Sequence, residues 1–306
     1  MNLQQLRYVC EIAERGFSVS RAAAALHTSQ PSMSRQIQAL ERELGVPIFV
    51  RSKRRLLALT GPGMEVCDAA RKVVRTLDGL RQIGKGFSTA GGGTLVVTTS
   101  HTHARYVLPK VIRAFTAMHP KVRVMLRQGS PVQVAQWVSS GEADFSICSK
   151  PAREMPDLVL LPCYDHHKVV LVPERHPLLK TRKLTIPALA PYPLITYDTD
   201  FPTHSQVMRA FDRAGHEPNV ILSATDVDVM KAYVKGGLGV AIVAALAYEK
   251  REDRGLRAIE AGHLFEPNKI YIGIQKQAYL RQYAFDFMQL FTPAMTKEKV
   301  LQALAA

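Results

Sequence analysis

The sequence predicts an α/β protein in three parts: a small head of the all-α type with one β-hairpin, a single long helix, and a carboxy-terminal region of alternating strands and helices. Three observations carry this. Residues 17–60 set two short helical patterns about a polar joint and follow them with a basic hairpin. Apolar residues recur every seven positions from Val66 to Phe87. From Thr94 onward short apolar runs alternate with amphipathic stretches over roughly 200 residues, the pattern of parallel sheets flanked by helices.

In the head, Leu3, Leu6, Val9, Cys10, Ile12 and Ala13 make an apolar face on a first helix, with Arg7 and Arg15 outside it. Val19, Ala22, Ala23 and Leu26 do the same for a second, and His27, Thr28 and Ser29 break that pattern. Ser29 suits the cap of a third helix, whose first turn tolerates Pro31 because an amide there needs no helical partner. Met33, Ile37, Leu40 and Leu44 form its inner face at helical spacing. The opposite side carries Gln30, Ser32, Arg35, Gln36 and Gln38, with Ser34 beside them. Such groups suit reading base edges in a major groove.

Two short strands, Ile48–Val50 and Leu56–Leu59, flank Arg51, Lys53, Arg54 and Arg55. A hairpin so tipped is a wing that can grip phosphate or enter a minor groove. A solvated surface helix beside an ordinary charged turn is the plainer reading. The order of the elements favours a winged helix-turn-helix and double-stranded DNA. Charge agrees: the net is +14, and residues 1–90 hold half of it, +5 in 1–60 and +2 in 61–90, which favours a polyanion.

Thr60 is placed to cap the long helix at Gly61-Pro62-Gly63. Val66, Val73, Leu80 and Phe87, with Ala70, Leu77 and Gly84, form an a/d-type seam. Packing on its own domain is one reading. A helix between two domains has little of its own chain to lie against, so a partner helix and a two-fold dimer are expected. Residues 84–93 end it in a glycine-rich hinge.

Beyond the hinge, expected strands are 94–99, 122–128, 144–149, 158–163, 168–172, 194–197, 219–223, 240–244 and 270–275; expected helices are 105–119, 131–140, 203–214, 227–235 and 279–291. Ligands of such sheets settle at strand carboxyl ends. The first such junction is Ser100-His101-Thr102-His103-Ala104-Arg105, whose hydroxyls and amides suit an anion. Capping of the helix alone is the other reading.

The segments LQQLRYVCEIAERG, SRAAAALHTSQPSMSRQIQALERELGVPIFVR and LTGPG resemble the LysR-type transcriptional regulators. The resemblance implies an α/β fold class with an all-α-type winged helix-turn-helix over 1–60, a linker and dimerisation helix over 61–90, and a two-lobed, periplasmic-binding-protein-like effector domain over 94–306. Lobe I would comprise about 94–164 and 269–306, and lobe II about 165–268. SHTHARYVLPKVI, RQGSPVQVA, ADFSI, LPCY and SATDVDVMKAYVKGGLGVAIVA further resemble the sulfur-assimilation branch, the CysB/Cbl-type regulators. That likeness implies a small anionic effector, sulfate, acetylserine or related, held by Ser100, Thr102 and His103 with Thr203 from the second lobe. Ser149, His166 and Thr225 are further wall candidates. Three positions depart from the branch: His103 stands for glutamine, His166 for tryptophan and Pro202 for threonine, with Thr203 adjacent.

The resemblance also implies a homo-oligomer, a dimer or a dimer of dimers (homotetramer), promoter DNA as target and RNA polymerase as a further partner. A solute-binding protein or an enzyme on the same two-lobed scaffold is the alternative reading, but no catalytic group, cofactor or metal site is expected. There is no GxSxG or Walker loop, and His101/His103 and His166/His167 lack the third and fourth ligands of a metal site. Cys10, Cys67, Cys148 and Cys163 are far apart in sequence and show no CxxC spacing, so buried thiols are expected, with a peroxide-sensing pair as the alternative. The start lacks an apolar signal region and Leu238–Tyr248 is too short to span a bilayer, which makes the expected location cytoplasmic, with no membrane partner.

Overall fold

The computed structural model describes residues 1–52, 55–88 and 92–305, apart from the side chains of 72, 75, 76 and 78–88. The chain divides into two compact units, Met1–Ala90 and Gly91–Ala306.

The first unit contains α1 (Leu3–Glu14), α2 (Val19–Ala25), α3 (Gln30–Leu44), β1 (Phe49–Ser52), β2 (Arg55–Leu59) and α4 (Gly61–Ser88). Asn2 and Gln5 form a capping box that starts α1, and Ser18 and Ser29 cap α2 and α3. Gly45, at φ 70°, ends α3 in the left-handed conformation that glycine adopts without a steric cost. Leu6, Val9, Ile12, Ala22, Ala23, Met33, Ile37 and Leu40 close into one core with Ile48 and Phe49. Leu44, expected on the inner face of α3, is 38% exposed, because the last turn of the helix runs past that core.

The wing pairs Phe49 with Leu59 and Ser52 with Arg55, a residue later at its first strand than expected. Lys53 and Arg54 at its tip lie outside the described residues. The start of α4 departs from the seam reading. Val66, Cys67, Ala70 and Val74 join the head's own core, with α1 packed against α4, so this end of the helix does lie against its own chain. Val73 is 44% exposed. The side chains of Leu80 and Phe87 lie outside what is described, and the helix continues through Gly84 to Ser88, into the stretch expected to be a hinge. Cys10 and Cys67, distant in sequence, meet in the α1–α4 contact, where a hydrogen bond between the thiols raises Cys10 and lowers Cys67.

The second unit begins with β3 (Gly93–Thr99), α5 (His101–Tyr106), α6 (Leu108–Met118), β4 (Val122–Gln128), α7 (Pro131–Ser139), β5 (Phe145–Ser149) and β6 (Leu158–His166). It continues with β7 (Lys168–Pro173), α8 (Ile186–Leu189), β8 (Leu194–Tyr197), α9 (Pro202–Arg213), β9 (Val220–Ala224), α10 (Val227–Lys235), β10 (Val240–Ala244) and β11 (Leu256–Glu260). Finally β12 (Asn268–Gln275), α11 (Gln282–Phe291) and α12 (Lys297–Ala305) complete it.

Two five-stranded sheets result, in the orders β4-β3-β5-β12-β6 and β11-β7-β10-β8-β9. Both are mixed, where parallel sheets were expected. β12 runs antiparallel to β5 and β6, and β7 antiparallel to β10 and β11. The expected helix over 105–119 is also two helices, since Pro109 lacks the amide needed to continue α5 into α6. In the second sheet Val170 and Val172 enter one core while Val169 and Leu171 enter another, so both faces are covered. The chain leaves the first sheet at His166 and re-enters it at Asn268, and those two residues are paired in register.

Candidate functional site

Two regions carry the polar groups singled out in the sequence. On the head, burial of Met33, Ile37 and Leu40 turns the other side of α3 outward. Gln30 and Arg35 are exposed there, and Ser32, Ser34 and Gln36 are half-buried. Not all of these groups stand alone. Gln36 accepts from Gln5 at 3.0 Å, and Gln30 accepts from Ser20 at 3.3 Å. In the wing Arg51 pairs with Glu41 at 2.7 Å, while the other oxygen of that carboxylate accepts from the amides of Ile48 and Phe49 at 2.9 and 3.2 Å. Arg51 is thereby tied to the support of the wing, and Arg55 is exposed. The Glu41 strap is invisible in the sequence because nothing local marks a carboxylate that reaches forward seven residues.

The other region is a small cavity between the two sheets of the second unit, about 30 Å³ measured as room for water-sized groups and about 380 Å³ when all empty space and open solvent are counted. Ser100, Thr102, His103, Ser149, His166 and Thr203 all line it. Tyr197, Phe201, Ala244, Asn268 and Ile270 complete the wall and were not anticipated. Thr225 does not belong to it. It is exposed at a bend beyond β9, where the chain turns so that Asp226 can cap α10, accepting from the Asp228 amide at 2.8 Å.

The polar groups of the cavity are largely fixed by one another. Ser100 Oγ lies 3.0 Å from His103 Nδ1, and Thr102 Oγ1 lies 3.4 Å from the Tyr197 hydroxyl. Thr203 Oγ1 accepts from Asn268 Nδ2 at 2.8 Å, and Asn268 Oδ1 accepts from Lys168 Nζ at 3.1 Å. Lys168 is fully buried, and that burial pushes its ammonium down to about 8. Burial likewise pushes His103 down to about 3 and His166 down to about 4, so both imidazoles are neutral near pH 7. His103 Nε2 and His166 Nδ1 are buried without a partner. Their rings stand 6.2 Å apart.

Among the described residues no carboxylate lines the cavity. A set of hydroxyls, an amide, two neutral imidazoles and a nearby ammonium suits an anion that brings acceptors to it. Ser100 and His103 do form a hydroxyl–imidazole pair, but a nucleophile's base is itself held by a third group, and His103 Nε2 has none. Outside the cavity wall, the Tyr106 hydroxyl donates to Asp228 at 2.6 Å and accepts from Lys231 at 2.7 Å, while Lys231 also reaches Asp253 at 2.9 Å. Arg105 adds a contact to Asp228 at 3.0 Å. These ties join α5 to α10 across the cleft.

Comparison with known proteins places the whole chain. Residues 3–64 match the bacterial regulatory helix-turn-helix protein, lysR family, and residues 89–296 match the LysR substrate binding domain. The HTH-type transcriptional regulator SsuR of Burkholderia cenocepacia is 44% identical over 300 residues, covering 98% of this chain and 97% of the relative. CysB of the same species is 40% identical over 304 residues, 99% of this chain and 97% of the relative. Among solved structures, the cofactor-binding domain of the Cbl transcriptional regulator superposes with a TM-score of 0.67 at 36% identity, covering 71% of this chain and 95% of that one. These relatives are transcriptional regulators, not enzymes, and among the described residues no helix is long and apolar enough to cross a membrane. With both of its units matched and the relatives aligned nearly end to end, the chain belongs to the LysR family of transcriptional regulators.

Proposed function

We propose that this LysR-type regulator controls genes of sulfur or organosulfur metabolism and responds to a small sulfur-containing oxyanion, or a related anionic effector, seated between the two sheets of its second unit. The observation that carries the reading is the cavity wall: hydroxyls, an amide and neutral imidazoles without a carboxylate, and a buried ammonium directly behind. Full-length likeness to SsuR and CysB supports the sulfur link. Thermal-shift and calorimetric titration with sulfate, thiosulfate, acetylserines and organosulfonates tests it. Saturable binding to one of these is expected, and Thr102→Ala is expected to abolish that response while leaving DNA binding intact. A Thr102→Ala protein that titrates like wild type would place the effector elsewhere.

In this reading the exposed side of α3 enters a major groove of promoter DNA and the wing grips adjacent phosphate. Gln30, Ser32, Ser34, Arg35 and Gln36 face base edges or the flanking backbone, while Arg51, Lys53, Arg54 and Arg55 serve the wing. A homo-oligomer, dimer or tetramer, holds two heads on a two-fold site, and the effector acts through its different affinity for two arrangements of that oligomer. RNA polymerase is the further partner at the promoter, and the cytoplasm the compartment.

Arg35→Ala is expected to weaken specific binding by about 10- to 100-fold, the worth of one good base contact, while non-specific binding changes little. Neutralising Arg54 and Arg55 together is expected to weaken binding to all duplexes and to lower the salt-dependence slope by about two, close to one for each phosphate that a wing cation neutralises. Gel-shift titrations over a salt series read both. Equal losses on specific and random duplexes for Arg35→Ala would remove it from base readout.

A further inference from the structure

Lys168 presents an unusual arrangement for a buried cation. Its residue is 0% exposed, and among the described residues no carboxylate comes within ion-pairing distance of its ammonium. Glu266 accepts from the ammonium through its main-chain carbonyl, and its carboxylate, turned to Arg209 and Arg213 at 3.1 and 3.3 Å, adds an attraction that the burial of Lys168 outweighs. Buried charges are normally paired at close range, and an ammonium held only by neutral acceptors and a carboxylate shared with two arginines is favoured by a further negative charge nearby.

The remaining contact of Lys168 runs toward the cavity. An ammonium has hydrogens to give and no lone pair, so the side-chain oxygen of Asn268 must be the atom that faces it. That fixes the amide's orientation and turns its NH2 to Thr203 Oγ1 at 2.8 Å. A hydroxyl that accepts there has its own proton left to give, and Thr203 lines the cavity. A charge that never reaches the cavity thus dictates the polarity of a group that does.

We propose that Lys168 and Asn268 are positioning residues which hold Thr203 as an obligate hydrogen-bond donor to the effector and supply its counter-charge from behind the wall, so that the site selects a ligand presenting acceptor oxygens and full negative charge. This rests on the reading of the cavity as an anion site. It adds that recognition is set by two residues that sit 100 positions apart in the chain and that close the crossover between the two sheets, at the start of β7 and the start of β12.

Asn268→Asp separates the polarity role from a merely structural one. The carboxylate gives Lys168 an ion-pair partner, so the fold is expected to keep its melting temperature or gain. Both its oxygens accept, however, so the Thr203 hydroxyl turns to it and away from the ligand, and a negative charge now stands beside the anion. Calorimetry on the full chain with sulfate, thiosulfate and ethanesulfonate as probes reads the effect. For whichever binds, Asn268→Asp is expected to lose about 30-fold or more, Thr203→Val about tenfold, and Thr203→Ser less than about threefold. The double variant Asn268→Asp/Thr203→Val should lose no more than Asn268→Asp alone, because the two substitutions act on one donor. Wild-type affinity in Asn268→Asp, or losses that simply add, would overturn the relay while leaving the anion site standing. A wild-type protein that binds none of the three probes would instead overturn the anion reading itself, and the relay with it.

Discussion

Gly63→Ala is expected to destabilise the amino-terminal unit by about 1–3 kcal/mol or more, the range for overpacking a rigid contact, and to weaken DNA binding in consequence. A Cβ at this position would stand 1.9 Å from the Ile48 carbonyl oxygen and 2.8 Å from its carbon. That carbonyl cannot retreat freely, since it accepts from the Thr60 amide at 2.9 Å and fixes the entry of the wing to the first turn of α4. Gly61, two residues earlier in the same turn, supplies the control, because nothing lies within 4 Å of its added Cβ. Glycine-to-alanine changes in unobstructed helix ordinarily stabilise by up to about 1 kcal/mol, so Gly61→Ala should be neutral or slightly stabilising. Opposite signs from two glycines in one turn, read by urea unfolding of the two variants, is the expected result. A Gly63→Ala protein as stable as wild type would mean that the wing and α4 are not held in this contact.

Acidification should act on the other unit. His103 and His166 have pKa values lowered by burial, from the ordinary 6.5 to about 3 and about 4, so their contribution to stability is complete above pH 6.5. Below that, the unfolded chain takes up protons that the folded one refuses. Stability then falls as pH drops toward 4, at a rate approaching about 1.4 kcal/mol per pH unit for each imidazole. Asp144 works in the opposite direction, because burial raises its carboxyl, and it softens the profile at the acid end. Lys168, at about 8, stays protonated throughout this window. Unfolding of the carboxy-terminal unit between pH 7 and 4 is expected to show the slope, and His103→Gln to flatten it by close to one imidazole's share. An identical profile in the variant would show that His103 takes up its proton over the same pH range in the folded as in the unfolded chain.

Much of this was legible in the sequence, and the reasons for what was not are physical. The three-to-four-residue spacing of Met33, Ile37 and Leu40 behind the Ser29 cap announces α3, because periodicity reports which side of a helix is wet. The expected and observed limits of Val227–Lys235 and Val240–Ala244 coincide for the same reason, with a glycine turn between them. Strand direction leaves no such trace. A run such as Lys168–Pro173 is buried on both faces whichever way its neighbours point, so the mixed sheets could not be told from parallel ones. β11 gives no clear signal because Ile259 and Glu260 break the alternation begun by Leu256, Arg257 and Ala258, and α12 gives none because its nine residues bury only Val300.

The cavity shows the same division. Ser100, Thr102 and His103 occupy one strand–helix junction, which a local reading can find. Tyr197 and Asn268 reach the same space from far along the chain, and only the pairing of β12 with β6 and the closure of α5 on the second lobe bring them there. Lys168 reads as an ordinary charged residue at the edge of a strand. Its burial follows from the return of β12 beside β7's entry, a meeting that no window of sequence contains.

That return has a mechanical consequence. The two passages of chain between the sheets run side by side, with His166 opposite Asn268, so the backbone joins the two lobes through one narrow isthmus. Those same two residues line the cavity, which lies against that isthmus. Any turn of one lobe against the other about that isthmus would move atoms at the cavity least and the far rim of each lobe most. Placed so near the isthmus, a small occupant would have leverage over surfaces far larger than itself.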